Sequence, residues 1–196
     1  MQIHETATIE QNVKIGEKTR VWQHVQIRPD AVIGKNCSIG KNVFIDRGVI
    51  IGNNVKIQNG VNIYSGVIIG DDVFLGPDSV FTNDLQPRAF LDDWKIIKTI
   101  LRKGCSIGAN ATIVCGNVIG AYSMVGAGAV VTQDVAPFSL VMGNPARIIG
   151  MVCKNGHRME QINKINEKVK FSCSLCNEEI TMSLDVVSNM VSKEIE

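Results

Sequence analysis

Large apolar residues recur every six positions along this chain. Stepping by six from Ile3 lands on Ile9, Ile15, Val21, Ile27, Ile33, Ile39, Ile45, Ile51, Ile57, Ile63, Ile69, Leu75 and Phe81. The phase returns at Ile107, Ile113, Ile119, Val125 and Val131. The next position is often Gly, as at Gly34, Gly40, Gly52, Gly70, Gly76, Gly108, Gly120 and Gly126. The fifth is small or β-branched, as at Val25, Ala31, Cys37, Val43 and Ala129. A period of six matches neither the 3.6 of a helix nor the two of a simple strand. It predicts a solenoid with three short strands per 18-residue coil. The first residue of each hexad then points inward, so that Val21, Ile39, Ile57 and Leu75 stack. The neighbouring Gly lets the backbone turn tightly. Nineteen hexads make a little over six coils, and each buries its apolar face only against its neighbours.

The pattern breaks once. From Phe81 to Ile107 is 26 residues, two more than a multiple of six, so 8, 14 or 20 extra residues are inserted. Taking Phe81–Gln86 as a hexad leaves Pro87–Ser106 (87–106) as a 20-residue excursion. A long loop inside a regular solenoid is usually functional or disordered. This one carries Phe90, Leu91, Trp94, Ile96, Ile97, Ile100 and Leu101, which is too apolar for disorder. It reads as a lid that packs on a neighbouring subunit and walls a site.

Charge and composition narrow the class. Twenty Lys and Arg against nineteen Asp and Glu leave a net charge of +1, unlike the basic excess of a nucleic-acid binder. No apolar run approaches the ~20 residues of a membrane span, and MQIHETATIE lacks the basic and apolar regions of a secretory signal. The expectation is a cytoplasmic protein with no nucleic-acid or membrane partner. Six cysteines in a reducing compartment are not expected to pair. Cys37, Cys105 and Cys115 read as small core residues.

The hexads of the form [Ile/Val]-Gly-x-x-[small]-x resemble those of the left-handed parallel β-helix acyltransferases over residues 1–150. The resemblance implies an all-β fold: a left-handed parallel β-helix of hexapeptide repeats with one protruding loop. Backbone physics alone favours right-handed crossovers, so the hand comes from the resemblance. Residues 151–196 form a small C-terminal extension, zinc-knuckle-like and helical. Further segments are Lys56-Ile57-Gln58-Asn59, Ile63-Tyr64-Ser65-Gly66, Phe81-Thr82-Asn83-Asp84 and Gly143-Asn144-Pro145-Ala146-Arg147. With them the chain is similar to enzymes that acetylate the 3-amino group of nucleotide-linked sugars in surface-polysaccharide (O-antigen) biosynthesis. The Gln-Asn and Ile-Tyr segments favour UDP-2-acetamido-3-amino-2,3-dideoxyglucuronate as acceptor. The Phe-Thr-Asn-Asp stretch is shared with relatives acting on dTDP-3-amino-3,6-dideoxyhexoses, which compete. The resemblance also implies acetyl-CoA as co-substrate and a homotrimer with sites between adjacent helices.

Acyl transfer needs an aligned nucleophile and somewhere for a proton to go. The chain has three His, of which only His4 and His24 lie in the solenoid. That favours an amine acceptor over a hydroxyl, with a sugar O-acetyltransferase as the alternative. It leaves too few His for a metal-binding carbonic-anhydrase-like β-helix, and a non-catalytic scaffold would give the apolar insertion and Asn83 no purpose. The side-chain carbonyl of Asn83 can accept a hydrogen bond from the amine and aim its lone pair. The resemblance implies the same role. Asp84 is the alternative base, with His24 a more distant one. Arg88 suits a phosphate or carboxylate, or a pair with Asp84. Gln58, Asn59 and Tyr64 are further candidates for the sugar nucleotide. Gly108, Ala109, Gly126 and Ala127 would expose backbone to the pantetheine arm. By the resemblance, Pro145, Ala146 and Arg147 meet the adenosine end of coenzyme A.

After Gly150 the hexads stop. Cys153 and His157 are followed by Cys173 and Cys176, two knuckles suited to a structural tetrahedral Zn²⁺. A redox Cys-x-x-Cys pair is the alternative. Leu184, Val187 and Val191 sit at helical spacing and predict a helix within Ser183–Glu196.

Overall fold

The computed structural model describes residues 1–91 and 95–190; Trp94 and Val191 lie outside them. Short strands, mostly of two residues, recur from Gln2–Ile3 to Val130–Val131 and stack in parallel into three faces. Each strand lies beside the one 18 residues further on: Ile3 beside Val21, Val21 beside Ile39, Ile39 beside Ile57 and Ile57 beside Leu75. The first face carries that column, the second carries Ile27, Ile45, Ile63 and Phe81, and the third Ile15, Ile33, Ile51 and Ile69. The fold is a parallel β-helix with one continuous core from Val21 to Ala146. Two positions per hexad point inward, the first and the fifth, so Ile27 and Ala31 are both fully buried. A buried Ile contributes roughly 1.5–3 kcal/mol.

The hexad glycines have a different reason from the one expected. The backbone at Gly34 is not left-handed; a Cβ there would sit 2.6 Å from the carbonyl carbon of Gly52 in the next coil. The glycine permits close stacking. The turn itself is made three residues after the inward residue, where Asn12, Asp30, Asn36, Asn42 and Asn54 adopt φ between 56° and 63°. Asn and Asp tolerate that region better than other residues with a Cβ.

The insertion is shorter than read from sequence and placed earlier. Ile69 pairs with Leu101, Leu75 with Ile107 and Phe81 with Ile113, each 32 residues apart, or one coil plus 14. Thr99–Leu101 is a strand of the third face, so the excursion spans 82–98 rather than 87–106. Leu101 takes the inward place and Thr99 the fifth place of the preceding hexad, both buried. Within the excursion Leu85, Phe90 and Ile96 are exposed.

Beyond the last coil the first face continues into the extension. Ser139–Gly143 runs parallel to Met124–Val125, the chain reverses at Asn144-Pro145, and Ala146–Val152 returns antiparallel. Arg158–Ile165, Lys168–Ser172 and Glu179–Ser183 complete a meander. The division at residue 150 therefore falls inside a strand, because the sheet is continuous there. A second small core holds Met151, Cys153, Met159, Val169, Phe171 and Cys173, with Ile148 touching both cores. The expected terminal helix amounts to Leu184–Ser188 among the described residues. No helix among them is long and apolar enough to cross a membrane.

Candidate active site and metal centre

The insertion leaves the corner between the second and third faces. Thr82 anchors it, its hydroxyl accepting the Cys115 N–H at 2.9 Å. The Asn83 carbonyl accepts the Ile97 N–H at 3.1 Å, closing the excursion at its base. Asn83 lines a cavity of about 470 Å³ together with Asp84, Pro87, Arg88 and Leu91. Asp84 takes the Gln86 N–H at 2.7 Å, while the Arg88 guanidinium reaches the Pro87 carbonyl at 2.9 Å. An Asp84–Arg88 pair is not among the ion pairs of the described residues. Tyr64 lies on this corner one coil below, its ring 5.7 Å from that of Phe44.

The other candidates fall elsewhere. Gln58, Asn59, Gly108, Ala109, Gly126 and Ala127 lie on the corner between the first and second faces. There the Asn59 side-chain oxygen already accepts the Lys41 N–H at 3.0 Å. A Cβ at Gly108 would come within 2.6 Å of the Gly126 carbonyl carbon, so that glycine is required by stacking in any case. Pro145, Ala146 and Arg147 form the hairpin past the last coil. Arg147 is exposed and donates to the neighbouring Ala146 carbonyl at 3.0 Å. His24 is an exposed left-handed turn residue in the second coil. Three coils at ~4.8 Å each separate it from Asn83, and it sits on another corner, so within one chain it cannot serve as the base.

The four knuckle residues do converge. The ligand atoms of Cys153, His157, Cys173 and Cys176 all lie within 4.8 Å of one another, and Cys173 Sγ is 3.6 Å from His157 Nδ1. In each knuckle the backbone folds back on its first cysteine: the Cys153 carbonyl accepts from Gly156 and the Cys173 carbonyl from Asn177, both at 2.9 Å. Burial pushes the Cys173 thiol up. The N–H groups of Leu175 and Cys176, with the Cys176 and His157 side chains, outweigh it and hold the thiol down at about 6. For Cys176 the Glu178 N–H pulls down, but the thiols of Cys173 and Cys153 and burial leave it raised. This donor set suits zinc. A tetrahedron with ~2.3 Å Zn–S bonds puts donors ~3.8 Å apart. The Cys173–His157 pair stands at 3.6 Å and no pair exceeds 4.8 Å, so the spacing present brackets that value. Cys37, Cys105 and Cys115 are buried as small core residues, and burial pushes the Cys105 thiol up to about 12.

The sequence reading did not single out Ala89, which lines the insertion cavity beside Asn83. It also missed the way the first knuckle is tied to the solenoid. Lys154 pairs with Glu178 at 3.4 Å and lies over the Tyr122 ring, which stacks on Phe138. The signal was there in Tyr122, an aromatic at a turn position that elsewhere holds mostly Asn, Asp or Gly, with Lys18 and His24 also departing from it.

Residues 1–85 match the model of the GMPPB C-terminal domain, and residues 100–133 that of the hexapeptide repeat of succinyl-transferase. The chain is 55% identical over 161 residues to the dTDP-3-amino-3,6-dideoxy-alpha-D-galactopyranose 3-N-acetyltransferase of Aneurinibacillus thermoaerophilus, covering 82% of this chain and 83% of that one. Among solved structures it is similar to PerB of Caulobacter crescentus in complex with CoA and GDP-perosamine, at 26% identity and TM-score 0.50. That match covers 76% of this chain and 56% of the other, so this chain spans little more than half of PerB. The polySia-specific acetyltransferase NeuO shares the fold at 23% identity and TM-score 0.56, covering 73% of this chain and 70% of that one. With the repeat, the coil register and a relative more than half identical over four-fifths of its length, the chain belongs to the hexapeptide-repeat family of acetyl-CoA-dependent sugar N-acetyltransferases.

Proposed function

We propose that this enzyme moves the acetyl group of acetyl-CoA to the 3-amino group of a dTDP-linked 3-amino-3,6-dideoxyhexose. The observation that carries the choice of sugar is the 55% identity to the Aneurinibacillus enzyme. The acceptor read as the competitor in sequence is thereby preferred. The UDP-linked uronate rested on Gln58-Asn59 and Ile63-Tyr64, and Asn59 has its side-chain oxygen committed to Lys41. The neutral amine attacks the thioester carbonyl, a C–N bond forms and the C–S bond breaks. The amine proton leaves with the coenzyme A thiolate. Asn83 accepts a hydrogen bond from the amine and fixes its approach. The test is thiol release with dTDP-3-amino-3,6-dideoxygalactose, UDP-2-acetamido-3-amino-2,3-dideoxyglucuronate and GDP-perosamine as acceptors. The first is expected to lead in kcat/KM by about tenfold or more; a faster uronate reverses the assignment.

A homotrimer supports this chemistry. The third face presents an outward strip of Val32, Ile50, Ile68, Ile100 and Val118, adjacent in register across five coils. The first face presents Arg20, Ser38, Lys56, Phe74 and Ser106 in the same five coils, polar at all but one. An apolar strip of this length suits burial against a second copy. Such packing would bring the Asn83 corner of one subunit to the glycine-lined corner of the next.

The knuckles would hold one structural zinc through Cys153, His157, Cys173 and Cys176. Four protein ligands leave no open position, so the ion supplies folding energy to the extension and takes no part in acetyl transfer.

A further inference from the structure

We propose that zinc at the knuckles governs the affinity of the enzyme for acetyl-CoA, because the extension it orders is one wall of the cleft beside Arg147. The inference rests on the zinc reading above and adds a regulatory consequence to it.

A cleft of about 710 Å³ lies between the end of the solenoid and the extension. Asp134 and Val135 of the last coil form one side, Arg147 and Ile148 the floor, and Val186 and Met190 the opposite wall. Its lining mixes apolar Val135, Ile148 and Met190 with the polar side chains of Gln133 and Asn189, the Asp134 carboxylate and the Arg147 guanidinium. That cation, with hydrogen-bonding groups beside it, suits the phosphorylated nucleotide end of an acyl-CoA.

The opposite wall cannot hold itself in place. Its helix, Leu184–Ser188, has five residues, far too few to be stable alone. Val186, Val187 and Met190 instead pack into the small core that contains Cys153, Cys173 and Cys176. Met190 also bridges to Ile148. Three of the four metal donors are therefore part of the packing that positions the wall. The first knuckle has its own attachment to the solenoid through Lys154, Tyr122 and Phe138. The second reaches it by the Glu178 contacts to Lys154 and by the shared core. Losing the ion leaves three thiols and an imidazole facing one another, and the wall loosens with them.

The experiment compares purified zinc-loaded protein, the same protein after chelation, and a V186G/M190G variant that keeps all four donors. Metal content is measured by elemental analysis, coenzyme A binding by calorimetry, and order in residues 184–190 by hydrogen exchange. Chelation should raise the Kd for coenzyme A about tenfold and speed exchange in 184–190, with kcat at saturating acetyl-CoA within about twofold. The variant should retain one zinc per chain and show the same rise in Kd. Chelated protein with fast exchange in 184–190 but an unchanged Kd would overturn the inference and leave the zinc reading standing. Protein that carries no zinc and takes none up from zinc buffer would overturn both.

Discussion

Asn83 sits between a buried strand end and an open cavity, and its backbone is fixed whatever its side chain does. Its carbonyl ties down Ile97 and its neighbour Thr82 ties down Cys115. Truncating the side chain should therefore remove an interaction without moving the loop. Asn83→Ala is expected to lower kcat by about 10²-fold and to change the KM for the sugar nucleotide little, since aiming the amine matters near the transition state. Steady-state kinetics check this; an unchanged kcat would leave Asn83 a loop residue and pass the role to Asp84. A second residue-scale effect comes from Cys105. Its folded pKa of about 12 stands above the usual 9.0 because burial disfavours the thiolate. The folded state thus keeps a proton that the unfolded chain gives up at lower pH. The stabilisation is complete below about pH 9 and is lost as pH rises from 9 towards 12. Denaturant titrations between pH 8 and 11 should show a falling stability whose slope is reduced in Cys105→Ala. That variant should itself cost about 1 kcal/mol at neutral pH.

At the scale of elements, the period of six was fully legible because coil stacking leaves so little choice. An inward Ile or Val every sixth residue and a glycine where two coils approach are steric demands. The left-handed turn column is written in Asn12, Asp30, Asn36, Asn42 and Asn54, but Lys18 and His24 interrupt it, so it is a weaker signal than the apolar column. The end of the insertion was not legible: Thr99 puts a polar residue in an inward place and Arg102 stands where Gly would mark the phase. The meander was not legible either, since Arg158–Ile165 alternates too weakly to announce a strand. The knuckles were legible because Cys and His spacing survives any fold between them, and the contiguous Asn83–Arg88 stretch for the same reason. The outward strip of the third face yields a prediction. Ile68 is half-buried in the single chain, at the middle of the strip. A Glu at position 68 is compatible with a lone solenoid, whose first face carries Lys and Arg at equivalent places. Buried against another copy it would be a desolvated charge in place of an apolar contact. Ile68→Glu should convert trimer to monomer in sedimentation with unchanged circular dichroism; a stable trimer would move the interface to another face.

Over the whole molecule, the candidate residues divide between two corners of a three-sided solenoid. Asn83, Asp84, Arg88 and Tyr64 share one; Gly108, Ala109, Gly126 and Ala127 share the next. No bend in so regular a core brings the two together within a chain, since each coil repeats the geometry of the last. In the proposed trimer each site takes Asn83 from one subunit and the glycine-lined corner from its neighbour, so two different defects can complement. Ala127 is exposed, and Ala127→Trp would block the pantetheine path without touching the core. Alone, Asn83→Ala and Ala127→Trp trimers should both be nearly inactive. Unfolded together, mixed and refolded in equal amounts, they form sites at random, and about one site in four receives an intact Asn83 and an intact residue 127. Activity should rise to about a quarter of the wild-type value, in proportion to the mixed trimers separated by tagged purification. If the site is contained within one chain, mixing restores nothing, and the same assay separates the two architectures without any structure of the complex.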